Sequence, residues 1–466
     1  MPFRSIVHTG GDILVLEDVM SQSSLFPLPE PQAAPAPSPT RPEHARVLRP
    51  NRQQLQWAPR DLEATLPQEH PARAIWDILE KLNLDAFYGS IKAVLDGPGR
   101  PTTDPQVLLA LWLLATVEGV GSARQLARLC AQHDAYRWLC GGVPINYHML
   151  SDFRVAKQAA LDELLTQIVG SLMAVGAVNL ERVAQDGTRV RASAGASSFR
   201  RKKTLKACLK EAREQVKRLA EQREHPDSGL TKRQQAAQER AARERLQRVE
   251  QALECLPELE ATKALQRKRH AKAERERVTE PRVSTTDAEA RVMKMPDGGY
   301  RPAYNAQLAT DSATGVIVGV AVTTSGSDAH QAPPMEEQIE RRTGRRPKTY
   351  LIDGGFAVRE DITLLEKRGA TVYAPVRQPK SKPEDERYQT RYGDSEEVIA
   401  WRQRMASEEG KAFYRQRAAI AEWANAQLKQ HGLSQFTVRG LTKVTTVLLL
   451  MAVAHDLLRW LSVQAA

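Results

Sequence analysis

Thr349 to Val376 reads TYLIDGGFAVREDITLLEKRGATVYAPV. Two β-branched and aromatic runs, Thr349 to Ile352 and Thr371 to Val376, flank a helical segment, Arg359 to Lys367, and an Asp-Gly-Gly turn follows the first run. A strand, a helix and a second strand in this order form the repeating unit of a sheet covered by helices. The pattern extends upstream. Tyr300 to Ala309 and Gly315 to Val322 read as strands and Ala329 to Arg342 as a helix. Downstream, a helix is expected from about Glu408 to Gln430 and an apolar one from Lys443 to Leu461. The chain over residues 179–466 is therefore read as α/β.

Further toward the N-terminus the period changes. From Ala72 to about Gly176 apolar residues recur at helical spacing, with Asp104 as a cap before Pro105 and Ser122-Ala-Arg-Gln125 as a capping box. Gly97 to Pro101 and Gly141-Gly142 are breaks. An all-α domain over residues 61–178 follows. Within it, Ala123 to Lys157 could hold a helix-turn-helix carrying Arg154 and Lys157, or a plain helical core. Residues 1–60 hold 10 of the 27 prolines and no sustained apolar period, so a disordered arm is expected.

The chain of 466 residues carries 67 Lys plus Arg against 56 Asp plus Glu, a net charge of +11. Such an excess favours a polyanionic partner, nucleic acid first. Most of it falls between about Arg200 and Glu280. There Leu205, Leu209, Ala212, Val216 and Leu219, and then Ala242, Leu246, Val249, Leu253 and Leu256, repeat at heptad spacing around the break Pro226 to Gly229. Two such short helices bury their seams by pairing, so an inserted antiparallel helical hairpin is expected over residues 200–280. Arg200, Arg201, Lys202 and Lys203 at one end, and Arg267, Lys268 and Arg269 at the other, could track phosphates or simply be a solvated face used between subunits. Aromatic content of 5% gives no sign of a base-stacking platform.

Four scattered cysteines fit a reducing compartment. The apolar runs Val107 to Val117 and Val447 to Ala454 are each too short to span a bilayer, and the N-terminus lacks the order of a secretory signal. A cytoplasmic protein without a membrane partner is expected. Cys130, His133, Cys140 and His148 could ligate zinc, but the cysteines fall in apolar helical pattern and read better as core.

Three positions could carry acid chemistry. Asp186 follows the strand-like Arg182 to Gln185 and precedes Gly187; Asp353 ends a strand before Gly354-Gly355. Functional groups gather at such strand ends, although an Asp-Gly pair is often only a turn. On the late helix Tyr414, Arg417, Glu422 and Lys429 fall within an arc of about 140°, with Phe413, Ile420 and Trp423 opposite, which suits either a reactive face or a solvated charge stripe.

In order and spacing, Gln185-Asp-Gly-Thr188, Tyr304-Asn-Ala-Gln307, Leu351-Ile-Asp-Gly-Gly355, the series Tyr414, Arg417, Glu422, Lys429, and Arg439-Gly440 resemble the DDE transposases of bacterial insertion sequences. The resemblance runs from about Ala72 to Leu461. It implies a ribonuclease-H-like catalytic domain in which Asp186, Asp353 and Glu422 bind two divalent ions, Mg²⁺ or Mn²⁺, and cut and rejoin DNA. It also implies that Tyr414, Arg417, Lys429 and Arg439 meet the cleaved strand, and that a homodimer or higher oligomer holds the terminal repeats of the element against target DNA. Four residues separate Arg417 from Glu422, where the family helix is often written with three, and position 421 is Ala. The competing functions are a non-catalytic DNA-binding protein and a metal-dependent nuclease that does not join strands.

Overall fold

The computed structural model describes residues 61–89, 91, 101–224, 231–269, 280–378 and 386–464. The Pro-rich arm, nearly all of the Gly97 to Pro101 loop and the Pro226 to Gly229 turn lie outside the described residues. Arg60–Ala466 is one compact unit.

Seven helices open it: α1 (Pro71–Leu79), α2 (Asp85–Tyr88), α3 (Pro105–Val117), α4 (Ala123–Gln132), α5 (Asp134–Cys140), α6 (Tyr147–Ala156) and α7 (Gln158–Ala174). The Asp104 carboxylate accepts from the Gln106 amide at 2.8 Å and Pro105 fills the first helical position, so α3 starts where its sequence requires. Nearly every α3 side chain is buried, which explains why it is apolar all round. Ser122 caps α4 through the Gln125 amide. The helix-turn-helix expectation does not suit Arg154. Its guanidinium is buried over the Trp112 ring, 4.5 Å from the centroid, and donates to the Gly121 carbonyl. Lys157 donates to the Phe87 carbonyl at 2.9 Å. Arg154 thus serves the helical core, while Lys157 is half-buried.

The sheet begins with β1 (Arg182–Arg191), which is longer than its apolar letters suggest. After it come β2 (Phe199–Arg200), the three helices α8 (Lys202–Glu224), α9 (Lys232–Glu254) and α10 (Leu256–Arg269), and β3 (Val283–Ser284), which pairs with β2. Then follow β4 (Arg291–Lys294), β5 (Tyr300–Asp311), β6 (Ile317–Thr323), α11 (Ala332–Thr343), β7 (Thr349–Leu351), α12 (Arg359–Lys367) and β8 (Thr371–Tyr373). The main sheet runs β4-β5-β1-β7-β8, with β6 also on β5. Pairing is antiparallel from β6 through β5 to β1 and parallel from β1 through β7 to β8. This is a mixed α/β sheet, as expected, and β1 lies at its centre.

The two expected heptad seams face inward: Leu205, Ala212, Ala242, Val249 and Leu256 are buried and the other seam positions half-buried. Ion pairs Lys202–Glu260 (2.9 Å), Arg213–Glu250 (3.2 Å) and Arg245–Glu211 (3.3 Å) fix α8 antiparallel to α9 and α10. Thr231 and Gln234 form a capping box at the start of α9. The third helix, α10, goes beyond the two-helix expectation, because Leu256 starts a new helix instead of ending the old one.

Three helices complete the chain: α13 (Glu396–Ala406), α14 (Glu408–Gln430) and α15 (Leu441–Gln464). The α15 helix is long and apolar enough to cross a membrane by length and composition, yet 67% of its apolar window is buried inside the protein. His455 and Asp456, which end its apolar run in the sequence, turn inward rather than toward solvent. His455 meets the Gly315 carbonyl at 3.0 Å, and the Asp456 carboxylate accepts from the Ile317 amide at 2.9 Å. Burial pushes the His455 imidazole down to about 4 and the Asp456 carboxyl well up, so both favour their neutral forms. Because α15 packs against α3, α6, α7 and β6, the helical segment and the sheet share one hydrophobic core.

Candidate active site

Asp186 lies in the middle of β1, opposite Leu308 of β5, rather than at a strand end. Successive strand side chains alternate between faces, so Ala184 and Asp186 point toward α14 while Gln185, Gly187 and Arg189 point the other way. On the α14 side, Ala184, Leu351 and Ala421 form a small apolar cluster with Phe413 and Tyr414. Above it, Arg417 Nη2 donates to Asp186 Oδ1 and Asn425 Nδ2 donates to Asp186 Oδ2, each at 2.8 Å. Burial raises the Asp186 carboxyl above its ordinary range. The negative charges of Asp353 and Asp328 push the same way, against the Arg417 guanidinium and the Gly187 amide.

On the opposite face Gly187 is a packing requirement and not the turn that an Asp-Gly pair suggests. A Cβ there would lie 2.3 Å from Asp328 Oδ1, 2.4 Å from Gln307 Nε2 and 3.0 Å from Asn305 Oδ1. Asp328 is buried and fully engaged. Its Oδ1 accepts from Asn305 Nδ2 (2.7 Å) and Gln307 Nε2 (2.8 Å), and its Oδ2 pairs with Arg189 (2.7 Å). Asp353 caps its own loop, its Oδ1 accepting from the Gly355 amide at 2.6 Å. A Cβ at Gly355 would sit 2.8 Å from Asp353 Oδ1 and 3.2 Å from Asp328 Oδ2, so those two oxygens are separated by at most the sum of these distances. Sequence reasoning missed Asp328, which sits in a Ser-Gly-Ser-Asp stretch that reads as loop. The signal that could have found it is Asn305 and Gln307, two polar residues spaced by two in an otherwise apolar strand, which need a buried polar partner.

Tyr414 joins the same group. Burial raises its hydroxyl first, then the charges of Asp353 and Asp186, while Arg417 opposes them. Asp186, Asp353, Tyr414 and Arg417 are thus gathered from β1, the loop after β7, and α14. Glu422 and Lys429 are exposed. The reason is helical geometry: at about 100° per residue, Arg417 and Asn425 bracket Ala421, and Glu422 lies roughly 100° further round. The face of α14 turned to Asp186 therefore carries the half-buried Tyr414 and Arg417 and the buried Ala421 and Asn425.

The basic positions lie apart from this group. Arg439 donates to the Ser193 carbonyl at 3.1 Å and lines a cavity of about 750 Å³ with Lys443, Glu254 and Glu289, which neither Asp186 nor Asp353 lines. Arg201 pairs with Glu280 and Lys202 with Glu260. Arg200, Lys203, Arg267 and Lys268 are exposed; the Arg269 side chain lies outside the described residues. Cys130 is half-buried and Cys140 buried, His133 packs edge-on against Tyr136, and His148 packs on Tyr147.

Among the described residues, no three His, Cys, Asp or Glu side chains converge as a metal site. A divalent ion is nevertheless chemically compatible with the group. Asp186 and Asp353 offer hard oxygens that repel one another, and the buried Asn425 Oδ1 has no hydrogen-bond partner.

Two family profiles match the chain. One, described as a transposase DDE domain, covers residues 265–457, and the other, a transposase domain (DUF772), covers residues 60–156. No curated protein matches, and no solved structure matches. The first match includes Asp353, Tyr414, Arg417, Glu422 and Asn425 but starts beyond β1, leaving Asp186 outside. It implies a ribonuclease-H-like fold, with which the mixed sheet and the helical N-terminal region agree. With a transposase profile over its helical segment and a DDE profile over its sheet and late helices, the chain belongs to the DDE transposases of insertion sequences.

Proposed function

We propose that the protein binds the terminal repeats of its own insertion sequence, cleaves a strand there and joins the freed end to target DNA, with Mg²⁺ or Mn²⁺ held at Asp186 and Asp353. The observation that carries this reading is the meeting of two acids and an arginine from three separate elements at the centre of the sheet. Two divalent ions, when bound, stabilise the attacking and leaving oxygens of an in-line phosphoryl displacement.

The chain's own residues divide the remaining work. Asp186 and Asp353 supply hard oxygens from a rigid strand and from a loop pinned by its own carboxylate. Asp328 fills the space that Gly187 and Gly355 leave beside them. Arg417, whose guanidinium reaches Asp186, is the cation able to exchange that carboxylate for a strand phosphate. Tyr414, with its hydroxyl kept protonated, can donate to a phosphate oxygen. A third ligand oxygen comes from α14, and the sequence pattern assigns it to Glu422. Lys429, Arg439 and the basic ends of α8 and α10 extend the contact along DNA. The protein is proposed to act in the cytoplasm as a homodimer or higher oligomer holding two ends.

The test is incubation of the purified protein with end-containing duplex DNA and Mg²⁺ or Mn²⁺. Nicking followed by joining of precleaved ends is expected. Binding without nicking would leave a non-catalytic DNA-binding protein, and nicking without joining a nuclease.

A further inference from the structure

Arg154 is 7% exposed, and among the described residues no carboxylate pairs with it. Its Nη1 donates to the Gly121 carbonyl and its guanidinium lies over the Trp112 ring, but its Nε is buried and donates to nothing. Burial pushes the group down to about 10, with no acidic neighbour acting in the other direction. A guanidinium stays charged inside a protein, and a buried charge is ordinarily paired. Arg154 lines a cavity of about 80 Å³ between the turn after α3 and the segment after α14. The exposed Gly119, Gly121 and Gly432 also line it, so no side chain narrows it at those three positions.

A second polar atom in the same wall is idle. His431 Nδ1 is 2.8 Å from the Val117 carbonyl, which can only accept, so the ring proton sits on Nδ1 and Nε2 is left as an acceptor. That Nε2 is buried and has no partner. A water alone would satisfy both idle atoms and leave the charge uncompensated. An anion accepting from Arg154 Nε, with a water that donates one hydrogen to the anion and the other to His431 Nε2, answers all three needs. The cavity is far below the size of a nucleotide pocket, which limits the anion to a small inorganic one. We propose that this cavity binds a small monovalent inorganic anion of the size of chloride, held by Arg154 and bridged through water to His431. The anion ties the two profile-matched segments together, since Gly121 and Arg154 lie within residues 60–156 and His431 within residues 265–457.

The test melts the full-length protein at constant ionic strength while chloride replaces gluconate, a carboxylate too large for the cavity. The wild-type melting temperature is expected to rise by about 1–2 °C and then level off, as for a ligand bound only by the folded state. Arg154→Gln, which keeps a donor and loses the charge, is expected to lose that saturable rise. Crystals of the unaltered protein grown in bromide decide the matter even where Arg154→Gln fails to fold: an anomalous peak in contact with Arg154 Nε is expected. A cavity that holds water and no such peak overturns the proposal. So does a peak in a protein whose melting is indifferent to chloride, which is an adventitious ion only, and so does a saturable rise that Arg154→Gln retains in full.

Discussion

Replacing Gly187 by Ala inserts one methyl into the tightest spot of the sheet. The new Cβ would stand 2.3 Å from Asp328 Oδ1 and 2.4 Å from Gln307 Nε2, and neither can retreat, since Gln307 and Asn305 are wholly buried and Asp328 nearly so. Overpacking of this kind costs about 1–3 kcal/mol, and losing a hydrogen bond to a buried carboxylate a further 1.5–3 kcal/mol or so. A destabilisation of about 3 kcal/mol or more is therefore expected in urea unfolding. Gly170 in α7 supplies the control: its Cβ would meet nothing within 4 Å, so Gly170→Ala should stabilise by about 0.5–1 kcal/mol, the helix-propensity gain. Gly187→Ala unfolding within about 1 kcal/mol of wild type would refute the packing argument, and with it the claim that Asp328 is held immovably behind the two aspartates.

Three further outcomes are expected. Asp353→Asn should keep its affinity for terminal-repeat DNA in a mobility-shift assay and lose Mg²⁺-dependent nicking; full nicking would remove Asp353 from the site. The Asp456 carboxyl is raised in the folded protein, so its contribution to stability is present below its unfolded value and declines as pH rises through the folded one. Asp456→Asn, whose Oδ1 can still accept from Ile317, should therefore melt above wild type at pH 7, with the gap closing toward pH 4; a wild type more stable at pH 7 would contradict it. Neutralising Arg267 and Lys268 together should lower the slope of log affinity against log salt by about 0.9 for each phosphate that the pair neutralises, and an unchanged slope would leave that end of α10 without a DNA role.

Much of the scaffold is legible in the sequence. The bounds of α12 and α14 fall where helical period and flanking breaks put them, and α3 starts at its Asp-Pro cap. The later strands are readable because their own residues are largely apolar, β-branched or aromatic. The strand β1 is only half readable, since Gln185 and Arg189 are polar in letter yet engaged by Gln307, Tyr350 and Asp328 across the sheet. Local pattern carries no record of such distant partners, so Asp186 and Gly187 look like a turn. The same limit applies on α14. A wheel ranks faces by polarity, and Glu422 is the more polar choice; packing on β1 instead turns Ala421 and Asn425 inward. Asp328 depends wholly on long-range convergence.

The most direct measurement is a crystal structure of the full-length protein soaked in Mn²⁺, read by anomalous scattering. The account predicts a peak bonded by carboxylate oxygens of both Asp186 and Asp353, with Arg417 withdrawn from Asp186. Manganese bound elsewhere, with the Arg417–Asp186 pair intact, would contradict it.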